Sequence, residues 1–267
     1  MVVGYPTPGK AKARAILEAF CAGAPGGTVA DDIPAALHDG VAVFYGITDA
    51  TRHLWEQAKA EGRDWVYLDN AYFDGCRQPP LKDGYFRATL NRLQHHGTGG
   101  SDGKRLEHLI YKAKLVQEPA RWKRDGSKIV VAPQSDQFMK TLAGYPGNWV
   151  EDVHKAIRAV TSRQIGCRPW TADKVAQYQN LKLDLRQAWA VVTYSSGCAV
   201  TALLAGVPAF VLAQDAISRC IAFTDLRHIE KRPGSEDDRR LWMAVVADNQ
   251  WTLDEMRSGL CWDMLHG

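Results

Sequence analysis

Trp189-Ala-Val-Val-Thr-Tyr-Ser-Ser-Gly-Cys-Ala-Val-Thr-Ala-Leu-Leu-Ala-Gly-Val-Pro-Ala-Phe-Val-Leu212 is the stretch whose reading decides the fold. An apolar run, Ala190 to Thr193, leads into the small turn Ser195-Ser196-Gly197. An alanine-rich helix, Cys198 to Ala205, follows, then a Gly206 stop and a second apolar run, Ala209 to Leu212. That succession is strand, helix, strand, the βαβ crossover of a parallel sheet. In such a sheet the ligand site is the turn where strand gives way to helix, here Tyr194-Ser195-Ser196-Gly197. Backbone N–H groups at a helix start, two hydroxyls and a glycine suit a phosphate or pyrophosphate. The same residues also make an ordinary helix cap, so the turn has to be weighed with its neighbours.

Those neighbours repeat the pattern. Met1 to Tyr5 is a short apolar strand followed by Pro6-Thr-Pro-Gly-Lys10 and a helix from Ala11 to Ala22. Val41 to Tyr45 breaks at Gly46 before a helix capped by Thr48 and running from Thr51 to Ala60. Asp64 to Leu68 ends in Asp69-Asn70. Further on, Lys128 to Ala132 ends in Pro133-Gln134-Ser135-Asp136, and Gln164 to Arg168 ends in Arg168-Pro169-Trp170. The helix from Asn148 to Ser162 separates these two strands, and Leu181 to Gln187 leads into the βαβ unit. Strands alternating with helices give an α/β chain with parallel sheets. Strand ends converge on one edge of a parallel sheet. Gln134, Ser135, Arg168, Tyr194, Ser195, Ser196 and Gly197 are therefore expected together, as a nest with hydroxyls and one arginine for a diphosphate. Asp69 occupies the corresponding crevice in the first half, either as a general base or as a carboxylate capping its own turn.

The stretch from Asp74 to Gly103 reads as a long loop, aromatic and basic, with Tyr85 and Phe86 among Arg77, Arg87, Arg92, His95 and His96, and with Lys104 just beyond. Interleaved aromatics and cations suit a phosphate-rich or base-bearing acceptor, or a loop that packs its rings inward and solvates its charges. Composition restrains the choice little: 267 residues, 46% apolar, 24% charged and a formal net charge of +3 describe an ordinary globular chain. The six cysteines form no C-x-x-C pair, which argues against a zinc site or a disulfide framework. No apolar run approaches the roughly 20 residues of a membrane span, and no leader is evident, so a cytoplasmic protein is expected. At the tail, Thr252 with Glu255 forms a capping box that opens a helix from Leu253 to Leu265.

The run Val191-Val-Thr-Tyr-Ser-Ser-Gly-Cys-Ala-Val-Thr-Ala-Leu-Leu-Ala-Gly-Val-Pro-Ala-Phe-Val211 resembles the donor-side motif of GT-B glycosyltransferases, particularly capsular-polysaccharide-type and phage-encoded ones. Gly166-Cys-Arg-Pro-Trp170 is similar in position to the basic-proline loop of those enzymes. Asp64 to Phe73, the loop from Arg87 to Gly103 and Gln250 to Leu260 resemble segments of uncharacterised phage proteins. The resemblance implies two Rossmann-like parallel-sheet domains facing a cleft. An acceptor domain would span 1–125 and a donor-nucleotide domain 126–267, with a hinge near Lys123 to Ser127 and a final helix crossing back. It implies a nucleotide-sugar donor, a UDP-sugar first, and no metal requirement. Ser195, Ser196 and Gly197 would cradle the phosphates, Arg168 would neutralise them, and Gln134 and Ser135 would line the site. Many relatives carry Glu in the helix after the serine turn, where Thr201 stands here.

An inverting transfer needs a base at the acceptor hydroxyl, for which Asp69, His95 and His96 are the candidates; a retaining one needs none. The phage-type resemblance and the basic first half imply hydroxymethylated pyrimidine in DNA as acceptor, with Arg77, Arg87, Arg92 and Lys104 on phosphates. A polysaccharide acceptor, a nucleotide-sugar epimerase or hydrolase, and a non-catalytic nucleotide-binding module are the alternatives.

Overall fold

The computed structural model describes residues 1–168, 174–233 and 237–266, which form two compact units: Met1–His95 with Ala247–Gly267, and His96–Val246. The first unit opens with β1 (Val2–Tyr5), α1 (Ala11–Gly23), β2 (Gly27–Val29), β3 (Val41–Tyr45), α2 (Arg52–Ala60), β4 (Trp65–Asn70) and β5 (Tyr85–Leu90). β1 pairs in parallel with β2 on one side and β3 on the other, and β3 pairs in parallel with β4. The apolar face of α1, with Ile16, Leu17 and Phe20, packs on Val2, Val43 and Val66 of this sheet. Such near-continuous apolar strands are those of a sheet covered by helices.

β5 lies inside the stretch expected to be an unstructured loop. It pairs antiparallel with β4, setting Leu68 opposite Ala88 and Asp69 opposite Arg87. Its aromatic and β-branched residues favour a strand. The arginine that obscured it in the sequence is matched by a carboxylate on the neighbouring strand.

The second unit begins with a short helix, α3 (Lys104–Glu107), and an extended segment that leads to β6 (Lys128–Val131). α4 (Trp149–Arg158), β7 (Gln164–Cys167), α5 (Lys174–Gln187), β8 (Ala188–Thr193), α6 (Cys198–Leu204), β9 (Ala209–Val211) and α7 (Asp237–Asp248) follow. The lead-in expected from Leu181 to Gln187 is thus the last turns of α5, with Leu181 and Leu185 buried. Strands β7, β6, β8 and β9 form a parallel sheet in that order. Its core joins Ile129, Val131, Val192 and Phe210 to Trp149, Val153 and Ile157 of α4.

The segment before β6, where the hinge was expected, is bonded to the ends of α5 and α6: Ala120 N–H donates to Leu204 O at 2.8 Å, Lys123 N–H to Gly206 O at 2.8 Å and Ser127 N–H to Gln187 O at 2.9 Å. Gly206 ends α6 at φ +74°, and a Cβ there would come 2.1 Å from Arg121 O. Only glycine fits that turn.

The tail returns to the first unit. β10 (Gln250–Thr252) pairs antiparallel with β5, placing Trp251 opposite Phe86. Thr252 and Glu255 form the expected capping box, which opens α8 (Leu253–Arg257), and α9 (Leu260–His266) follows. Leu253, Met256 and Cys261 join the core that α1 covers. Gln250 is fully buried, and its Oε1 accepts the Phe73 N–H at 3.0 Å.

The two sheets share one strand order. In each, the first strand is central, the second lies to one side, and the third and fourth run to the other. The order reverses between first and third strands, so each unit has a switch point, after β1 and β3 in one and after β6 and β8 in the other.

Candidate functional site

In the second unit the switch point lies between the carboxyl ends of β6 and β8, where Gln134 and Ser195 face one another. The Gln134 amide donates from Nε2 to Ser195 Oγ at 2.8 Å, and the Ser195 N–H donates to Gln134 Oε1 at 3.0 Å. Beneath them Thr193 Oγ1 donates to Ala132 O at 2.7 Å and accepts the Ser196 N–H at 3.3 Å, tying the two strand ends together. Sequence reasoning passed over Thr193 as the end of an apolar run. A hydroxyl residue closing an otherwise apolar run was the available signal, and the structure buries it fully.

The expected turn residues are therefore gathered, but much of their hydrogen-bonding capacity is used inside the turn. Ser196 Oγ accepts the Cys198 N–H at 3.3 Å, a bond local to the turn, and Thr201 Oγ1 reaches back to Gly197 O at 3.4 Å. A serine oxygen that accepts still has its own O–H to donate. Ser196 and Gly197 are half-buried, whereas Ser195 is buried. Ser135 lies one turn away, its Oγ accepting the Phe138 N–H at 3.2 Å. Tyr194 is half-buried, and its hydroxyl pKa is raised by burial and by Asp215.

Arg168 departs from the expected arrangement. Its backbone continues the β7 pairing, with its N–H on Val131 O at 2.8 Å, but its side chain is only 9% exposed and its Nη1 lies 3.6 Å from Asp184 of α5. Asp184 also accepts Lys128 Nζ at 2.8 Å. The guanidinium is drawn to a carboxylate beside the sheet because a buried cation needs a counter-charge. Pro169 and Trp170 lie outside the described residues.

In the first unit a second polar cluster grows from Asp69 at the end of β4. Asp69 Oδ2 accepts from Arg87 Nη2 at 2.5 Å and from the Tyr67 hydroxyl at 3.1 Å, and Oδ1 accepts the Asn70 N–H at 2.7 Å. Burial alone would raise the Asp69 pKa, but Arg87 and the Asn70 N–H outweigh it and hold the carboxyl below the usual aspartate range. Arg87 lies over the rings of Tyr72 and Tyr67, and its Nε is buried without a hydrogen-bond partner. Tyr72 accepts the His95 N–H at 2.9 Å. Asn70 accepts from Tyr45 at 3.1 Å and from Lys12 at 3.0 Å. Lys12 was not singled out from the sequence, since a lone lysine in a first helical turn carries no signal by itself.

The remaining expected residues are dispersed. His95 is half-buried and His96 exposed. Arg77 donates to the carbonyls of Ala71 and Tyr72 and pairs with Asp74. Arg92 offers its carbonyl to Thr89, and Lys104 pairs with Asp102 on the surface of the second unit. Among the described residues no group of three His, Cys, Asp or Glu side chains is placed to hold a metal ion, and no helix is long and apolar enough to cross a membrane.

No protein-family model and no curated protein matches the sequence. Solved structures do. Thermosulfurimonas dismutans KpsC, beta Kdo 2,4 transferase, is similar at a TM-score of 0.54 and 14% identity, covering 94% of this chain and 91% of that one. Thermosulfurimonas dismutans KpsC, beta Kdo 2,7 transferase, is similar at a TM-score of 0.51 and 14% identity, covering 98% and 99%. At that identity the likeness is one of fold: two Rossmann-like α/β domains.

Proposed function

We propose that the chain is a glycosyltransferase of GT-B type, which moves a sugar from a nucleotide-sugar donor to a hydroxyl acceptor. The observation that carries this reading is the hydroxyl-lined switch point at Gln134, Ser195 and Ser196, in a fold that matches two sugar transferases over nearly the whole chain. The donor's phosphates would lie at the start of α6. There the Ser196 O–H and the amino end of the helix face the charge that grows on the leaving phosphate as the sugar–oxygen bond breaks. The acceptor oxygen forms the new bond to the anomeric carbon, and its proton passes to a base.

Asp69 is poorly suited to be that base, because both its oxygens already accept hydrogen bonds and its basicity is lowered. In an inverting reaction this leaves His95 and His96 as the pair to receive the proton. A saccharide hydroxyl is the acceptor class we favour, since both similar structures are named as Kdo transferases and Arg87, expected on DNA phosphate, is committed to Asp69.

A donor screen by mass spectrometry tests the reading. Nucleotide sugars, UDP-linked ones first, are incubated with saccharide acceptors and with plain and hydroxymethylated DNA in parallel. Transfer to a saccharide supports the proposal. Transfer to DNA alone moves the acceptor to nucleic acid, donor turnover without any acceptor indicates an epimerase or hydrolase, and binding without turnover indicates a nucleotide-binding module.

A further inference from the structure

Beside the Asp69 cluster, a pocket of about 100 Å³ opens between the first turn of α1, the end of β4 and the turn before β5. Lys12, Asn70, Arg77 and Tyr85 line it together with Phe86 and Leu81. A pocket of this size suits a small group such as a carboxylate or phosphate.

Its charge is unbalanced. Asp69 is paired with Arg87 and Asp74 with Arg77, while the Lys12 ammonium meets the neutral amide of Asn70. That ammonium donates one hydrogen bond to Asn70 Oδ1 at 3.0 Å and lies 5.4 Å from the Phe86 ring, which leaves donors in hand. Three cations, Lys12, Arg77 and Arg87, thus stand against two carboxylates, Asp69 and Asp74. Burial lowers the Lys12 pKa, Asp69 opposes that, and Arg77 pushes it further down, which places the two cations within reach of each other's field. Asn70 is held in one orientation by Tyr45 and Asp69, so the wall that meets a ligand is fixed.

We propose that this pocket binds the anionic group, a carboxylate or a phosphate monoester, of the acceptor substrate, with Lys12 as its principal contact. The word acceptor rests on the transferase reading; the anion site does not.

The test uses the full chain without nucleotide, titrated with inorganic phosphate, galacturonate and galactose and followed by NMR. Wild-type protein binds phosphate or galacturonate with shifts centred on residues 12, 70 and 77, and neutral galactose gives none. Lys12→Gln, at an exposed position, keeps the melting temperature and weakens binding by about tenfold, as expected for one charge-assisted contact. Galacturonate alone marks an acidic sugar, phosphate alone a phosphorylated one, and either supports the site. Absence of binding at tens of millimolar of both anions, or unchanged affinity in Lys12→Gln, overturns it. Anion binding in a protein that binds no nucleotide sugar would sink the transferase reading and leave the anion site standing.

Discussion

Gln134 and Ser195 hold each other by two hydrogen bonds across the carboxyl ends of adjacent strands, Nε2 to Oγ at 2.8 Å and Ser195 N to Oε1 at 3.0 Å. The pair fixes the floor of the switch point, so its variants separate fold from binding. Gln134→Ala leaves the buried Ser195 N–H without its acceptor and should cost about 1–3 kcal/mol of unfolding free energy. Gln134→Glu can still accept from the Ser195 N–H, and the serine hydroxyl can turn to donate. It should keep most of the stability while setting a negative charge where phosphates are proposed. Calorimetric unfolding and nucleotide titration on both variants check this. Equal nucleotide affinity in Gln134→Glu and wild type would remove the crevice from the donor site.

Ser196 differs from Ser195 in what it has left to give. Its oxygen accepts the Cys198 N–H within the turn and its proton is available to a ligand, so Ser196→Ala should weaken nucleoside diphosphate binding by about tenfold, the worth of one charge-assisted hydrogen bond. Loss of the local bond to Cys198 should cost only about 0.5–1.5 kcal/mol of stability. Ser196→Thr retains the hydroxyl and should recover most of the affinity. Titration calorimetry on the two variants decides it, and equal loss in both would point to shape and not to the O–H.

How far the sequence went can be judged at particular residues. The turn Ser195-Ser196-Gly197 was legible because a strand, a small-residue turn and a helix are each local signals, and the strand order of the sheet brought Gln134 to it. β5 was not legible, because Arg87 and the glycine-rich flanks resemble a loop until Asp69 is known to sit opposite. Helix α5 was missed in the same way. Its run from Lys174 to Gln187 is nearly symmetrical in polarity around the helix, so periodicity gave no face to read. Partnership across strands is a property of topology, which a window of sequence does not contain.

The Asp69–Arg87 pair predicts a pH signature. The folded carboxyl lies below the ordinary aspartate value of about 3.9, so its contribution is present above that value and disappears as the pH falls through the folded pKa. Arg87→Ala strands Asp69 in a partly buried place and should cost about 3 kcal/mol near neutrality. In that variant burial is opposed by the Asn70 N–H and Arg77 without Arg87, so the carboxyl pKa rises from its wild-type position and protonation relieves it. The stability gap between variant and wild type should therefore narrow as the pH is lowered from about 6 to about 3. Denaturant unfolding across that range is the measurement, and a constant gap would mean that the pair does not govern Asp69.

Arg168 gives the sharpest test of structure against motif. The basic-proline resemblance implies a phosphate contact whose loss abolishes donor binding. The side chain instead lies almost buried beside Asp184, which it shares with Lys128. Removing it leaves Asp184 one cation, so the carboxylate stays partly compensated and the cost should be moderate, about 1–2 kcal/mol. Nucleotide affinity should change less than twofold, because the guanidinium is turned towards Asp184. Asp184→Asn supplies the control. If Arg168 is held by Asp184, releasing it should lower stability by a similar amount, and the double variant should cost less than the sum of the two. A strong loss of nucleotide binding in Arg168→Ala with unchanged unfolding free energy would restore the phosphate role to this residue.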